Sequence, residues 1–382
     1  MPEKHARFSP SSADRFIHCP PALRLGEEYG PEDTSTDYTK EGTEAHALCE
    51  HLLRLELGEA SPDPRPTFKY YTPEMEEAAS GYRDAVLEIR DSHPGSALFV
   101  EQEIHFEDYA EGAFGTSDAL ILSEPEMFVV DFKYGKGVPV SAEDNAQLKC
   151  YALGAYIAFS PLYEIEQITL VIYQPRLNNY SSWSLTTESL LTWADKVLRP
   201  AAAQAIRGDG DFACGSWCRF CNAKAVCRKR AEENLSLARY DFARPETLEP
   251  DEINLILSKV DSLTAWAEDI RSYALQQALA GQIWDDWKVV EGRSNRKFRD
   301  ETTAARTLEE AGISPYERRM KTLTEIEKEM GKRRFFELLG DQVIKPAGRP
   351  TLVPRTDKRP EIITSAALDF AAQLQEDTAY VD

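Results

Sequence analysis

The sequence has no hydrophobic run near the roughly 18 apolar residues that a membrane-spanning helix requires. Its first residues also lack the apolar segment of a secretory signal, so we expect a cytoplasmic protein without structural disulfides. Basic residues are scarce, since 44 Lys and Arg stand against 65 Asp and Glu and the net charge is -21. This imbalance argues against phosphate binding by the whole surface, although a local basic groove or a bound metal ion could still attract nucleic acid.

The 382 residues are enough for one large domain with an appendage. A stretch rich in Pro and acidic residues near 243–251 predicts a boundary between residues 1–242 and 243–382. Short segments rich in β-branched and aromatic residues predict strands at 97–106, 115–122, 127–133, 167–174 and 180–185. Apolar spacing predicts helices at 42–57, 72–92, 141–159, 251–281, 301–311 and 324–339. This order predicts an α/β fold with a mixed sheet flanked by helices, followed by a mainly helical C-terminal region.

The segment MFVVDFKYG contains an acidic and a basic residue at the end of a predicted strand. Asp131 and Lys133 share one face of that strand, and Asp118 would approach Asp131 if the two strands pair through the turn SEPE. Two carboxylates can hold Mg²⁺ or Mn²⁺, and an adjacent amine can stabilise phosphoryl charge, as phosphodiester hydrolysis requires. Asp-x-Lys alone also fits a solvated ion pair. Glu101 and Glu103, on the strand before, are interpreted as an exposed edge.

Two helical patterns flank this segment. Gly42, His46 and Glu50 form G-x3-H-x3-E, while Gln147 and Tyr151 form Q-x3-Y, so that each pattern lies on one helix face. With GTSD and VVDFKYG, these ordered patterns resemble the motifs of the PD-(D/E)XK nucleases of the RecB-like and Cas4-like branch. The resemblance implies a restriction-endonuclease-like fold and a Mg²⁺- or Mn²⁺-dependent deoxyribonuclease, with an exonuclease favoured over an endonuclease.

The resemblance also implies a role for each matching position. The metal would be held by His46, Asp118, Asp131 and the main-chain carbonyl of Phe132. Lys133 would orient the attacking water and stabilise the charge on the phosphorane. Gln147 and Tyr151 would complete the catalytic set by positioning the substrate or the lysine. Each of these residues could instead have only a structural role. His46 could be a helix histidine that hydrogen-bonds locally, and Gln147 and Tyr151 could line the face of an amphipathic helix.

Three of the cysteines are close together in the sequence. Cys218, Cys221 and Cys227 form C-x2-C-x5-C, and Cys19 stands alone near the start of the chain. In iron–sulfur members of the resembled branch an early cysteine joins a late trio, which implies a [4Fe-4S] cluster here. A zinc site that combines the trio with Cys214 is a local alternative.

Basic residues alternate with aromatic ones in the C-terminal region, and this pattern predicts contacts with DNA. The candidate residues are Arg296, Lys297, Arg299, Lys332, Arg333 and Arg334. Phe335 and Phe336 could instead belong to the core of a helix whose basic face meets water. The region resembles the C-terminal part of a phage and prophage family that shares the nuclease core. That resemblance implies recombination or DNA processing beside a single-strand annealing protein or a helicase.

Two alternatives to a nuclease are a nucleic-acid binding or assembly protein that retains the fold without hydrolysis, and a zinc-dependent structural module.

Overall fold

The computed structural model describes residues 6–29, 37–236, 248–290, 299–316 and, within 321–343, residues 321, 323, 326, 330–339, 342 and 343. Contacts divide the chain into two compact units, residues 1–290 and 291–382. The predicted boundary between 242 and 243 lies outside the described residues. The helix at 250–279 belongs to the first unit because its Asp269 pairs with Lys224 at 2.9 Å and with Arg230 at 2.6 Å.

One mixed sheet forms the centre of the first unit. Its five strands lie side by side in chain order: β1 (Ala97–His105), β2 (Phe114–Ser123), β3 (Glu126–Phe132), β4 (Gln167–Gln174) and β5 (Asn179–Thr186). β3 and β4 run parallel, and the other neighbouring strands are antiparallel. The turn SEPE joins β2 to β3, with Ser123 paired to Glu126. The predicted α/β fold class and mixed sheet are therefore confirmed.

Helices cover both faces of the sheet. Those of the first unit are α1 (Ala13–His18), α2 (Ala22–Tyr29), α3 (Asp37–Glu56), α4 (Pro73–Asp91), α5 (Ala146–Phe159), α6 (Thr187–Trp193), α7 (Arg199–Arg207), α8 (Arg228–Leu235) and α9 (Pro250–Leu279). Alternate residues of each strand point to opposite faces, so Met127 and Val129 pack with α5 while Phe128 and Val130 pack with α3 and α4. α5 supplies the crossover that the parallel pair β3 and β4 requires.

The start of α5 differs from the sequence expectation of a helix beginning at Ser141. The first helical residue is Ala146, and the side chain of Asn145 caps the helix by accepting a hydrogen bond from Leu148 N at 3.1 Å. Asp144 has a left-handed backbone with φ +52°, which ends the preceding turn and prevents an earlier helix start. Gln147 consequently lies in the first turn of α5, beside the end of β3.

The second unit contains two described helices, α10 (Glu301–Glu310) and α11 (Lys332–Leu339). Part of the helix predicted for 324–339 lies outside the described residues. Phe335 is buried, while 56% of Phe336 is exposed, so only the first of these rings is a core residue. Among the helices that the structure describes, none combines the length and apolar character needed to cross a bilayer.

Candidate metal-dependent active site

A cleft of about 480 Å³ opens where α3 faces the middle of β2 and the end of β3. The N-terminal half of α3 forms one wall, and the segment that follows β3 forms the other. The lining residues are Tyr38, Thr39, Gly42, Thr43, His46, Glu101, Asp118, Phe132, Lys133, Tyr134 and Gly135. The cleft thus joins the predicted helix motif to the two predicted strand motifs.

His46 and Asp118 form an ion pair inside the cleft, with Nδ1 3.2 Å from Oδ1. The other carboxylate oxygen of Asp118 accepts a hydrogen bond of 2.7 Å from the backbone amide of Phe132. Burial alone would lower the pKa of His46, but the charge and hydrogen bond of Asp118 outweigh burial and raise it to about 9. Burial opposes ionisation of Asp118, yet His46 holds the pKa of that carboxyl below its usual value. The aspartate is therefore ionised and held in a fixed position at neutral pH.

A second group of polar side chains lies beside the cleft and centres on Asp131, which is only 3% exposed. Lys133 Nζ lies 3.0 Å from Asp131 Oδ2 and donates a hydrogen bond of 3.1 Å to Gln147 Oε1. Gln147 Nε2 in turn donates to Asp131 Oδ1 at 3.4 Å and to the hydroxyl of Tyr151 at 3.1 Å. The Lys133 contact to Asp131 Oδ2 lacks hydrogen-bond geometry, so this oxygen has no hydrogen-bond partner among the described residues.

The charges in this second group are set by burial and by their neighbours. Burial raises the pKa of Asp131, and the nearby Asp118 adds to that effect while Lys133 opposes it. Burial would lower the pKa of Lys133, but Asp131 raises it, so the amine stays charged at neutral pH. The pKa of Tyr151 is raised, chiefly by burial, and its hydroxyl therefore stays neutral. The group can offer a fixed positive charge next to the cleft.

The donor set in the cleft fits a hard divalent cation. One donor atom each from His46, Glu101 and Asp118 lies within 4.8 Å of the others. An imidazole nitrogen with carboxylate oxygens suits Mn²⁺ and also accepts Mg²⁺. Oδ2 of Asp131 is a further buried carboxylate oxygen beside this set; it pairs with Lys133 at 3.0 Å and accepts no hydrogen bond from the described residues. Of the predicted residues, His46, Asp118, Phe132 and Lys133 line the cleft, and Asp131, Gln147 and Tyr151 form the polar group beside it. Their roles in metal binding and catalysis stay predictions.

Glu101 was not among the residues predicted for the site, and its interpretation as part of an exposed edge is wrong. Its side chain is partly buried and lines the cleft. Glu103 does lie on an exposed edge, where it pairs with His105 at 2.9 Å. Glu50, the last residue of the helix motif, pairs with Arg54 at 2.8 Å and does not line the cleft.

The four cysteines expected to bind a cluster surround one small cavity. Cys19, Cys218, Cys221 and Cys227 line it together with three basic residues, Arg15, Lys224 and Arg230. Cys214 is not part of this lining. The cavity brings α1 and the segment before α8 together, so the early cysteine does join the late trio in space.

The spacing of these thiols bears on the kind of metal centre. A tetrahedral zinc ion with Zn–S bonds of about 2.3 Å holds its sulfur ligands roughly 3.8 Å apart. In the part of the chain that the structure describes, only the His46 group places three donor atoms within 4.8 Å of one another. No three cysteine thiols of the described residues reach that spacing, although the Cys214 thiol hydrogen-bonds with Cys218. The choice between an iron–sulfur cluster and zinc stays a prediction.

The residues predicted to contact DNA are only partly described. Arg299 precedes α10 and is exposed, and Arg334 is exposed on α11. Lys332 and Arg333 begin α11, but their side chains, like residues Arg296 and Lys297, lie outside the description. DNA contact by this region stays a prediction.

The fold and the cleft define an α/β protein with a mixed sheet and an imidazole–carboxylate site between α3 and the sheet. Residues 5–360 match the family described as "Protein of unknown function (DUF2800)", and the chain belongs to that family. The family description assigns no activity, so function has to be argued from the site.

Proposed function

We propose that this protein is a metal-dependent deoxyribonuclease of the PD-(D/E)XK type, more specifically an exonuclease that acts in phage or prophage recombination or DNA processing. The observation that carries the proposal is the arrangement of Asp118, in the middle of β2, beside Asp131 and Lys133 at the end of β3. Asp118 accepts a hydrogen bond from the backbone amide of Phe132. Lys133 pairs with Asp131 and donates a hydrogen bond to Gln147. Acidic groups that can bind a cation thus lie beside a fixed ammonium group.

The chemistry proposed here is hydrolysis of a phosphodiester. The oxygen of a water molecule forms a bond to phosphorus, the bond to the leaving deoxyribose oxygen breaks, and that oxygen receives a proton from the water. A Mg²⁺ or Mn²⁺ ion would supply Lewis acidity toward the phosphoryl oxygen and the attacking water. His46, Asp118, Asp131 and the carbonyl of Phe132 would hold the ion.

Lys133 supplies positive charge where negative charge develops on the phosphoryl group. Its hydrogen bond to Gln147 Oε1 limits the positions of the ammonium group, so little reorganisation is needed during the reaction. Gln147 also contacts Asp131 and Tyr151, and through these contacts it fixes α5 against the end of β3. We therefore assign Gln147 and Tyr151 as positioning residues for the lysine.

We propose a [4Fe-4S] cluster bound by Cys19, Cys218, Cys221 and Cys227, as support for the fold. Burial raises the pKa of Cys19 and Cys221, while Arg15 opposes that shift at Cys221. Of the three cations around the cavity, Lys224 and Arg230 pair with Asp269, so Arg15 is the one that would help to balance the charge of thiolate ligands. The cluster would then tie α1 to the segment before α8.

The test is digestion of end-labelled DNA by the full-length protein, purified anaerobically with its metal centre intact. Single- and double-stranded substrates, linear and circular, are incubated with Mg²⁺ or Mn²⁺ and with a chelator. We expect products from linear DNA that require the metal and are lost in Asp131→Asn. Absence of product on every substrate would support the alternative of a binding or assembly protein. Equal cutting by Asp131→Asn and Lys133→Ala would also reject the proposed catalytic site.

A further inference from the structure

Glu101 lies at the point in β1 where the side chains change the face of the sheet to which they point. In β1, Leu98 and Val100 pack with the cluster formed by α3 and α4, but Ile104 packs with the α5 cluster. A regular strand would send these three even-numbered residues to the same face. The change therefore occurs between Val100 and Ile104.

The backbone of Glu101 accounts for this change. Its φ is +50°, a left-handed conformation that is uncommon for any residue other than glycine, asparagine or aspartate. It lies between the pairs Val100–Ala119 and Gln102–Ser117, and therefore opposite Asp118. Strained backbone of this kind is energetically unfavourable and is concentrated at functional sites. The conformation at Glu101 is therefore a reason to look for a role of its side chain.

The side chain of Glu101 lines the cleft and lies beside the proposed metal ligands His46 and Asp118. Its carboxylate lies within 4.8 Å of the donor atoms of His46 and Asp118. Among the described residues, it has no hydrogen-bond or ion-pair partner within bonding distance. On the adjoining helix α3, His46 pairs with Asp118, and Arg54 pairs with Glu50 and Glu59 at 2.8 and 2.7 Å.

Without a bound cation, an ionised carboxylate in this position should lower the stability of the fold. The Glu101 side chain is partly buried, and its donor oxygen lies within 4.8 Å of the Asp118 carboxylate. Two acidic groups on facing strands repel each other unless a positive charge is shared between them. His46 compensates Asp118 directly through its 3.2 Å contact, which leaves Glu101 without such a contact.

We propose that Glu101 is a direct ligand of the divalent ion, together with His46 and Asp118. The inference rests on the proposed function for the presence of that ion and adds a ligand to the set that the resemblance implied. Asp131, which faces Lys133 and Gln147, would then approach the ion from the side of the lysine. A site with a histidine nitrogen and several carboxylates should bind Mn²⁺ more tightly than Mg²⁺.

The test measures Mn²⁺ binding to the full-length protein through loss of the electron paramagnetic resonance signal of free Mn²⁺, with no DNA present. We expect Glu101→Gln to weaken Mn²⁺ binding by more than roughly 100-fold, beyond the range of about 10–100-fold that outer-sphere substitutions cause. Glu103→Gln is the matched control, because Glu103 lies two residues along β1 and pairs with His105 in solvent. This control should bind Mn²⁺ like the wild type.

A second measurement separates a metal ligand from a structural residue. Without divalent metal, we expect the melting temperature of Glu101→Gln to equal or exceed that of the wild type, because the substitution removes an uncompensated carboxylate. A structural role would instead lower it. Wild-type Mn²⁺ affinity in Glu101→Gln, with loss of binding in Asp118→Asn, would overturn the inference and leave the proposed function standing. Failure of the wild type to bind Mn²⁺ would overturn both.

Discussion

The carboxylate of Asp118, on β2, accepts a hydrogen bond of 2.7 Å from the backbone amide of Phe132, on β3. The backbone pairing of the two strands ends at Ala119 with Val130, and the Asp118 side chain forms the next hydrogen bond between the strands. The aspartate therefore stabilises the end of the hairpin and also presents an oxygen to the cleft. Substitutions can separate these two roles.

Asp118→Asn and Asp118→Ala should both abolish metal-dependent cleavage but differ in stability. Asparagine can still accept the hydrogen bond from Phe132, whereas alanine leaves that buried amide unpaired. Loss of the partner should lower the free energy of unfolding of Asp118→Ala by about 1–3 kcal/mol relative to Asp118→Asn. Urea denaturation of the metal-free proteins measures the difference. Equal stability of the two variants would show that the hydrogen bond contributes nothing.

Lys133→Ala should reduce DNA cleavage by roughly 100-fold or more while leaving Mn²⁺ binding intact. The lysine is expected to act on the developing phosphoryl charge and is not a metal ligand. Removal of its positive charge from beside Asp131 can only strengthen the attraction of the site for a cation. Single-turnover cleavage and Mn²⁺ titration of the same preparation give the two numbers. A parallel loss of metal binding and cleavage would contradict this division of roles.

Much of the fold follows from local sequence patterns, and the exceptions have physical causes. β4 occupies the predicted residues 167–174, because its alternating apolar pattern is bounded by Pro and polar residues. Among the site residues, His46, Asp118 and Lys133 stand in recognisable spacings and could be predicted. Glu101 could not be predicted, because its side-chain direction depends on a left-handed backbone conformation that interrupts the alternation of side chains along β1.

The metal centre that we propose at the cysteines should depend on Cys19 and not on Cys214. Cys19→Ala removes a thiol that lines the cavity, while Cys214→Ala removes one outside that lining. We expect anaerobically purified Cys214→Ala to keep the brown colour and iron content of the wild type, and Cys19→Ala to lose both. Stoichiometric zinc without iron in the wild type, retained in Cys19→Ala and lost in Cys214→Ala, would establish the zinc alternative instead.

Gly154→Ala should destabilise the fold. A Cβ atom at this position of α5 would lie 2.7 Å from Ile104 Cδ1 and 3.2 Å from the carbonyl oxygen of His105. The helix and β1 would have to separate, at a cost of about 1–3 kcal/mol, typical of overpacking. A lower melting temperature measures the effect. An unchanged melting temperature would mean that α5 shifts freely over β1, and Gln147 would then be poorly held.

Gly42→Ala is expected to have the opposite effect on stability, together with a loss of activity. A Cβ atom at Gly42 meets nothing within 4 Å, so no packing requirement explains a glycine inside α3. Alanine should stabilise the helix by roughly 0.5–1 kcal/mol, since glycine loses more backbone freedom on folding. The added methyl group would lie in the wall of the cleft, where the proposed DNA backbone has to approach His46. We therefore expect a higher melting temperature, unchanged Mn²⁺ binding and a raised KM for DNA. If the more stable variant cuts DNA with wild-type kinetics, the substrate does not enter along this face of α3, and the cleft serves the metal ion alone.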